Sequence, residues 1–385
     1  MFASFSYHNP VKIVFGKGTI SQLNKLVPAG AKVMITYGGG SIFKNGVYDQ
    51  VKKALNGFEV VEFGGIEPNP TYETLMKAVE IAKKENVTFL LAVGGGSVLD
   101  GTKFIAAAIP YEGEDPWQIV LDRKNYKTAL PLGSVLTLPA TGSEMNYYAV
   151  ISRTETKEKK GMGGPLLYPQ FSILDPETTY TLPTQQVANG IADAFTHVME
   201  QYMTYPVDAQ VQDRMAEGIL QTLIDIAPDA LAKTDDYASR ANFMWAATMA
   251  LNGLLAVGVP TDWATHQIGH ELTALHGIDH ARTLAVVLPH LLKHQLANKE
   301  AKLVQYGTRV WGLQGEPNEV ALQAIEKTAA FYESLGIPTK ASAYGIGLET
   351  VTEVKARFEE RGMNFGERAT ITPDAVEEIL TASIA

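Results

Sequence analysis

The chain contains no cysteine. Disulfides, iron–sulfur clusters, thiolate zinc sites and a cysteine nucleophile are therefore excluded together, and any metal must be held by histidine and carboxylate. Positive charge is also scarce: 32 Lys and Arg stand against 42 Asp and Glu, for a net charge of −10, and no basic stripe occurs. That argues against nucleic acid as the main partner, because phosphate-backbone binding needs clustered cations. A phosphorylated small molecule, needing only a few placed donors, stays open. No apolar stretch approaches the roughly 20 residues that span a bilayer, so no membrane partner is expected. The opening residues, MFASFSYHNPVKIVFGKG, lack a charged segment followed by an apolar one and do not read as a signal peptide. The expectation is a soluble, cytoplasmic protein. What is present is a globular balance, 46% hydrophobic and 19% charged over 385 residues, enough for two domains of ordinary size.

The first half alternates short β-rich runs with helical patterns, as a parallel α/β sheet does. Val33–Tyr37 reads as a strand ending in Gly38-Gly39-Gly40-Ser41, and Phe89–Val93 as another ending in Gly94-Gly95-Gly96-Ser97. Val60–Phe63 and Val135–Leu138 are further strands, with helices expected over Val47–Leu55, Thr71–Glu85 and Val98–Ala108. After about Leu182, 3.6-residue periods dominate: Gln186–Met203, Val211–Ile226, Tyr237–Leu251, Asp262–His276, Val320–Leu335 and Leu348–Arg361. The predicted fold class is an α/β N-terminal domain with a parallel, Rossmann-like sheet over residues 1–182, and an all-α C-terminal domain over 183–385. The boundary is expected near Thr181-Leu182-Pro183.

Glycines ahead of a helix let backbone N–H groups approach an anion, and the helix dipole favours negative charge there. Ser97 stands where it would cap such a helix, with Asp100 completing a capping-box-like pair. Neither glycine cluster spells GxGxxG, and two glycine-rich turns describe the same residues. Thr137-Leu138-Pro139-Ala140-Thr141-Gly142-Ser143 offers hydroxyls after a strand, as a nucleotide-binding loop or a surface turn would.

Five of the eight histidines fall between positions 266 and 290. Asp193 and His197 are one helical turn apart, as are His266 and His270. Gly277 is a helix stop, which leaves His276 in a last turn and lets His280 fold back toward His266. Asp193, His197, His266 and His280 would supply one carboxylate and three imidazoles, a set suited to Fe²⁺ or Zn²⁺ with an open position. Helix-borne histidines also serve in cores and caps, and spacing alone leaves both readings standing.

These residues resemble the iron-containing (group III) alcohol dehydrogenase family, most nearly its NADP-dependent aldehyde reductases and butanol dehydrogenases. The resemblance covers essentially the whole chain. His8 to Gly16 is similar to the family's opening strand, and Gly94-Gly-Gly-Ser-Val-Leu-Asp100 to its phosphate loop. Ser172-Ile-Leu-Asp175, Pro183, Gly190-Ile-Ala-Asp193 and Glu200 match its first signature; His266-Gln-Ile-Gly-His270 and His280 match its second. The resemblance implies a dehydroquinate synthase-like architecture and metal ligands at Asp193, His197, His266 and His280. It implies cofactor contacts at Gly38, Gly39, Gly40, Ser41, Gly94, Gly95, Gly96, Ser97, Asp100, Thr137, Leu138, Thr141, Ser143 and Lys159. His270 is expected beside the metal as a proton-relay or substrate-orienting residue. A homodimer is implied as well.

NAD-preferring enzymes generally place an acid after this strand for the ribose 2′-hydroxyl. Here Tyr37 to Ser41 has none and Lys44 follows, so NADP(H) is expected. The implied reaction is hydride transfer between NADP(H) and a small aldehyde or primary alcohol, with the metal as Lewis acid. Tyr147-Tyr148 departs from the small residues of the relatives and is expected to narrow the pocket. The competing readings are a glycerol-dehydrogenase-like polyol enzyme, a dehydroquinate-synthase-like lyase, a metal-dependent hydrolase and a non-catalytic nucleotide-binding protein.

Overall fold

The structure, a computed structural model, describes residues 2–384. The chain folds into two compact units: His8–Pro183 with Lys233–Thr248, and Met1–Tyr7 with Thr184–Ala232 and Met249–Ala385.

The first unit is built on a parallel sheet of β1 (Lys12–Phe15), β2 (Lys32–Tyr37), β3 (Glu59–Phe63), β4 (Phe89–Gly95), β5 (Leu132–Leu138) and β8 (Phe171–Leu174). An antiparallel pair, β6 (Tyr148–Arg153) and β7 (Glu158–Gly163), stands apart from it. The order across the sheet is β1-β8-β5-β4-β2-β3. β3 is laid on one side of β2, and β4 then β5 on the other, so the winding reverses between β2 and β4. Such a switch point opens a crevice at the carboxyl ends of the strands. Both glycine clusters lie there.

The central strands are apolar on both faces because helices cover both. Met34, Leu90 and Leu136 pack with Leu75 and Val79 of α4 (Tyr72–Lys84) and with Leu99 of α5 (Gly96–Ala108). Val33, Ile35, Leu91 and Val135 pack on the other face with α1 (Leu23–Leu26), α2 (Ser41–Lys44) and α3 (Val47–Ala54). α6 (Gln118–Leu121) completes this half. The Thr71 hydroxyl caps α4 by accepting from Thr74 N–H. The expected Ser97 cap is corrected: α5 begins at Gly96, its N-cap is Gly95 without a side-chain cap, and Ser97 lies inside the first turn.

The second unit is helical: α7 (Thr184–Tyr202), α8 (Gln210–Ala232), α10 (Ala264–His276), α11 (His280–His294), α12 (Leu296–Val310), α13 (Pro317–Ser334), α14 (Leu348–Arg361) and α15 (Pro373–Ile384). α9 (Tyr237–Ala250) belongs mostly to the first unit. Ile268, Leu272, Val286, Leu291, Val354 and Ile379 knit α10, α11, α14 and α15 into one core. Among the described residues no helix is long and apolar enough to cross a membrane.

Candidate active site

On α7, Asp193, His197 and Glu200 sit at i, i+4 and i+7, so they share one face, and all three are buried. Before α10, Trp263 turns the chain with a left-handed backbone (φ 65°), and Asp262 Oδ1 accepts from Ala264 N–H at 3.0 Å. His266 is thereby set in the first turn. Gly277 (φ 67°) ends α10 as its spacing predicted, and the chain returns so that His280 is the first residue of α11. A Cβ on Gly269 would lie 3.0 Å from Thr283 Oγ1 and 3.1 Å from Leu284 Cδ2, so glycine lets α10 and α11 approach beside these imidazoles. Asp279 Oδ2 accepts from Asn189 Nδ2 at 3.0 Å and from Gln185 Nε2 at 3.2 Å, tying the start of α11 to α7 one turn before Asp193.

Three of the four predicted ligands, Asp193, His266 and His280, converge on one point, and His197 lies beside them against Asp193 and His266. Asp193, His266 and His280 each bring a ligand atom within 4.8 Å of the others. Asp193 Oδ1 stands 3.7 Å from His197 Nε2 and 4.0 Å from His280 Nε2. The His197 and His266 rings stack with centroids 4.8 Å apart, and His266 and His280 are 5.2 Å apart. His270 lies at the edge of the group, 5.0 Å from His280 and 6.3 Å from His266 between centroids. Trp263 walls it, its ring 5.1 Å from that of His266.

A metal ion fits this arrangement. Among the described residues Asp193 Oδ1 is buried without a hydrogen-bond partner, a costly state for a carboxylate oxygen. Its distances to the imidazoles are too long for hydrogen bonds, and they match the roughly 3–4 Å between ligand atoms around a common divalent ion. Behind the ligands, Glu200 Oε1 accepts from both the backbone N–H (2.9 Å) and ring Nδ1 (3.0 Å) of His266. Burial, reinforced by the nearby Asp262 charge, pushes the Glu200 carboxyl up. Lys299 Nζ joins Asp262 and Glu367, each at 2.8 Å, and reaches Met203 O at 2.7 Å. Burial also pushes Glu367 up, to about 7. Four buried carboxyls, Asp193, Glu200, Asp262 and Glu367, thus lie with one lysine, a balance that a divalent cation improves.

In the α/β unit the predicted cofactor residues fall into two groups. Gly38, Gly39, Gly40 and Ser41 follow β2; Gly94, Gly95, Gly96 and Ser97 close β4 and open α5; Thr137 and Leu138 end β5, and Thr141 lies in the loop after it. These strand ends are neighbours in the sheet. The second cluster has no room for side chains: a Cβ would lie 2.6 Å from Val98 at Gly94, 2.9 Å from Leu138 at Gly95 and 2.5 Å from Thr141 at Gly96. Gly39, by contrast, faces open space. Lys159 on β7 donates to Asn69 Oδ1 at 2.8 Å, and Asn69, itself left-handed, donates from its backbone to Ser97 Oγ at 3.4 Å. The Lys159 ammonium is so brought toward the start of α5.

Asp100 and Ser143 are instead engaged within the fold. Asp100 accepts from Ser143 Oγ (2.7 Å) and Val150 N–H (2.9 Å). The fully buried Lys103 donates to Ser143 Oγ, Asn146 Oδ1 and Tyr148 O at 2.7, 3.1 and 2.7 Å. This network braces residues 143–150 on α5. Tyr147 and Tyr148 pack on each other with ring centroids 4.4 Å apart, Tyr148 half-exposed. Sequence reasoning matched Glu200 to a signature but missed its contact with His266; its position seven residues after Asp193 was the available signal. It also missed Asn69, whose Pro68-Asn69-Pro70 setting marks a turn.

Two family models match the chain: "Iron-containing alcohol dehydrogenase" over residues 10–176 and "Fe-containing alcohol dehydrogenase family, C-terminal" over 187–384. The NADPH-dependent aldehyde reductase YqhD of Escherichia coli is 55% identical over 99% of both chains. A probable NADH-dependent butanol dehydrogenase of Bacillus subtilis is 43% identical over 99% of this chain and all of its own. The crystal structure of E. coli K-12 YqhD superimposes with a TM-score of 0.97 over 99% of each chain, at 54% identity.

Proposed function

The chain belongs to the iron-containing alcohol dehydrogenase family, and we propose that it reduces small aldehydes to primary alcohols, reversibly, with NADP(H) and one Fe²⁺ or Zn²⁺. The observation that carries the metal-dependent reading is the buried, unpartnered Asp193 Oδ1 facing imidazoles at 3.7 and 4.0 Å. In this reading residues 183–385 hold metal and substrate through Asp193, His197, His266 and His280, and residues 1–182 hold the dinucleotide. When bound, the metal supplies Lewis acidity toward a carbonyl oxygen and the nicotinamide supplies the hydride.

The chain's own residues do the rest. The backbone N–H groups at the start of α5 and the Lys159 ammonium take the pyrophosphate, where no side chain intervenes at Gly94 to Gly96. Gly39, Gly40, Ser41 and Lys44 accept a ribose 2′-phosphate, since no carboxylate stands there to repel it. Thr137, Leu138 and Thr141 border the same crevice, with Asp100 and Ser143 supporting it from inside. Trp263 keeps water from the imidazole cluster, and His270, beside His280, passes a proton to the product oxygen. Tyr147 and Tyr148 restrict substrates to small ones. A cytoplasmic homodimer, in line with the composition and the family resemblance, completes the proposal.

The test is NADPH oxidation with butanal, using metal-stripped protein reconstituted separately with Fe²⁺ and Zn²⁺, and NADH in parallel. Metal-dependent turnover that favours NADPH is expected. Nucleotide binding without turnover under either metal would overturn the reading.

A further inference from the structure

We propose that Glu200 is a positioning residue that holds the His266 imidazole as the Nδ1–H tautomer and so presents Nε2 as its ligand nitrogen. The inference rests on the metal-site reading above. It comes from one oxygen: Glu200 Oε1 lies 2.9 Å from the His266 backbone N–H and 3.0 Å from its ring Nδ1. A backbone N–H can only donate, so Oε1 is an acceptor at this place, and Nδ1 carries the proton toward it. In a neutral imidazole the lone pair then belongs to Nε2, on the far side of the ring.

The carboxylate that fixes the ring is itself fixed. Glu200 shares the α7 face of Asp193 and His197, so two ligands and the orienting group of a third come from one helix. Glu200 O accepts from Asp262 N–H at 2.8 Å, which docks the end of α7 on the entry to α10. Asp262 in turn caps Ala264 N–H and is anchored by Lys299, which also holds Glu367 and Met203 O. Ring and helix start are therefore set from the same buried network. Outer carboxylates of this kind orient a ligand histidine and raise its basicity.

The test compares parent, Glu200→Gln, Glu200→Ala and His266→Ala proteins by chelator competition for Co²⁺ and by the visible spectrum of the Co²⁺ forms, with the melting temperature of each metal-free protein. Glu200→Ala should weaken Co²⁺ about 10- to 100-fold and shift the spectrum. Glu200→Gln, whose amide oxygen still accepts both N–H groups, should recover part of that loss. Co²⁺ affinity within about twofold of the parent in both variants, with unchanged spectra, would overturn the proposal and reduce Glu200 to a helix brace. Parent-like affinity in His266→Ala would instead sink the metal-site reading beneath it. Should the Glu200 variants fail to fold, ¹⁵N imidazole spectra of the parent Zn²⁺ protein decide. A proton on His266 Nδ1 supports the assignment, and one on Nε2 refutes it.

Discussion

The α/β unit offers its candidate ligand surface as main chain, whereas the helical unit offers side chains. At the ends of β2 and β4 the recurring residue is glycine, and Gly94, Gly95 and Gly96 have no room for a Cβ. On α7, α10 and α11 the working groups are a carboxylate and imidazoles, held by further buried carboxyls. A surface built from backbone should fail when atoms are added, and a cluster built from side chains when they are removed. The two halves are therefore sensitive to opposite kinds of substitution.

Removing a ligand should have the largest effect. His266→Ala is expected to lower turnover on the order of 10³-fold or more, since Lewis-acid stabilisation is worth several kcal/mol. Nucleotide affinity measured by fluorescence titration should be nearly unchanged. Comparable losses in both would break the separation between the halves.

Lys103→Met comes next, because it leaves Asp100 buried without the ammonium and removes the donor to Ser143, Asn146 and Tyr148. A cost of about 3 kcal/mol is expected in denaturant unfolding. Burial pulls the Lys103 ammonium down to about 8 from an ordinary 10.5, against the opposing pull of Asp100 and Glu144. Between those values the unfolded chain binds more protons, so this contribution to stability grows as pH rises from 8 to 10.5. The stability gap between parent and variant should widen over that range; a narrowing gap would contradict the assignment.

Gly96→Ala adds a single carbon 2.5 Å from Thr141 and forces the strand–helix junction to shift. Overpacking of this kind costs about 1–3 kcal/mol, and it should appear as weaker NADPH binding with metal affinity intact. The smallest effect is expected for Gly39→Asp, whose Cβ meets open space. The fold should be unaffected, while NADPH weakens roughly tenfold relative to NADH through charge repulsion. An unchanged cofactor ratio would remove the 2′-phosphate from this end of β2.

Legibility in the sequence follows the same division. β2 and β4 were visible because buried parallel strands are short, continuous apolar runs, closed here by glycine. β5 showed through its apolar Val135–Leu138 ahead of Pro139, and the edge strand β3 through Val60-Val61 and the glycines after Phe63. β8, only Phe171–Leu174, was too short to stand out, and the β6–β7 pair, with Glu158-Lys159-Lys160, lacks the apolar alternation of a half-buried hairpin. α14 was read with its observed bounds because its amphipathic period is clean. α11 was not: Thr283 to Leu292 is buried almost throughout and contains Pro289, so it looks strand-like and broken. Tertiary packing carries that helix past its proline. At the site, the i+4 pairs on α7 and α10 were legible as helix faces, and Gly277 as a stop. The role of Glu200 was hidden because its partner lies 66 residues away. The Ser97 cap failed because the close approach of Gly94 to Gly96 to Val98, Leu138 and Thr141 lets the helix start two residues earlier, at Gly96.

The most direct test of the central claim is a crystal structure of the protein grown with Zn²⁺, with anomalous data at the metal edge. One anomalous peak is expected, within about 2.0–2.2 Å of an Asp193 oxygen and of nitrogens from His197, His266 and His280. A peak elsewhere, or none at these four residues in crystals that bind NADPH, would contradict that claim.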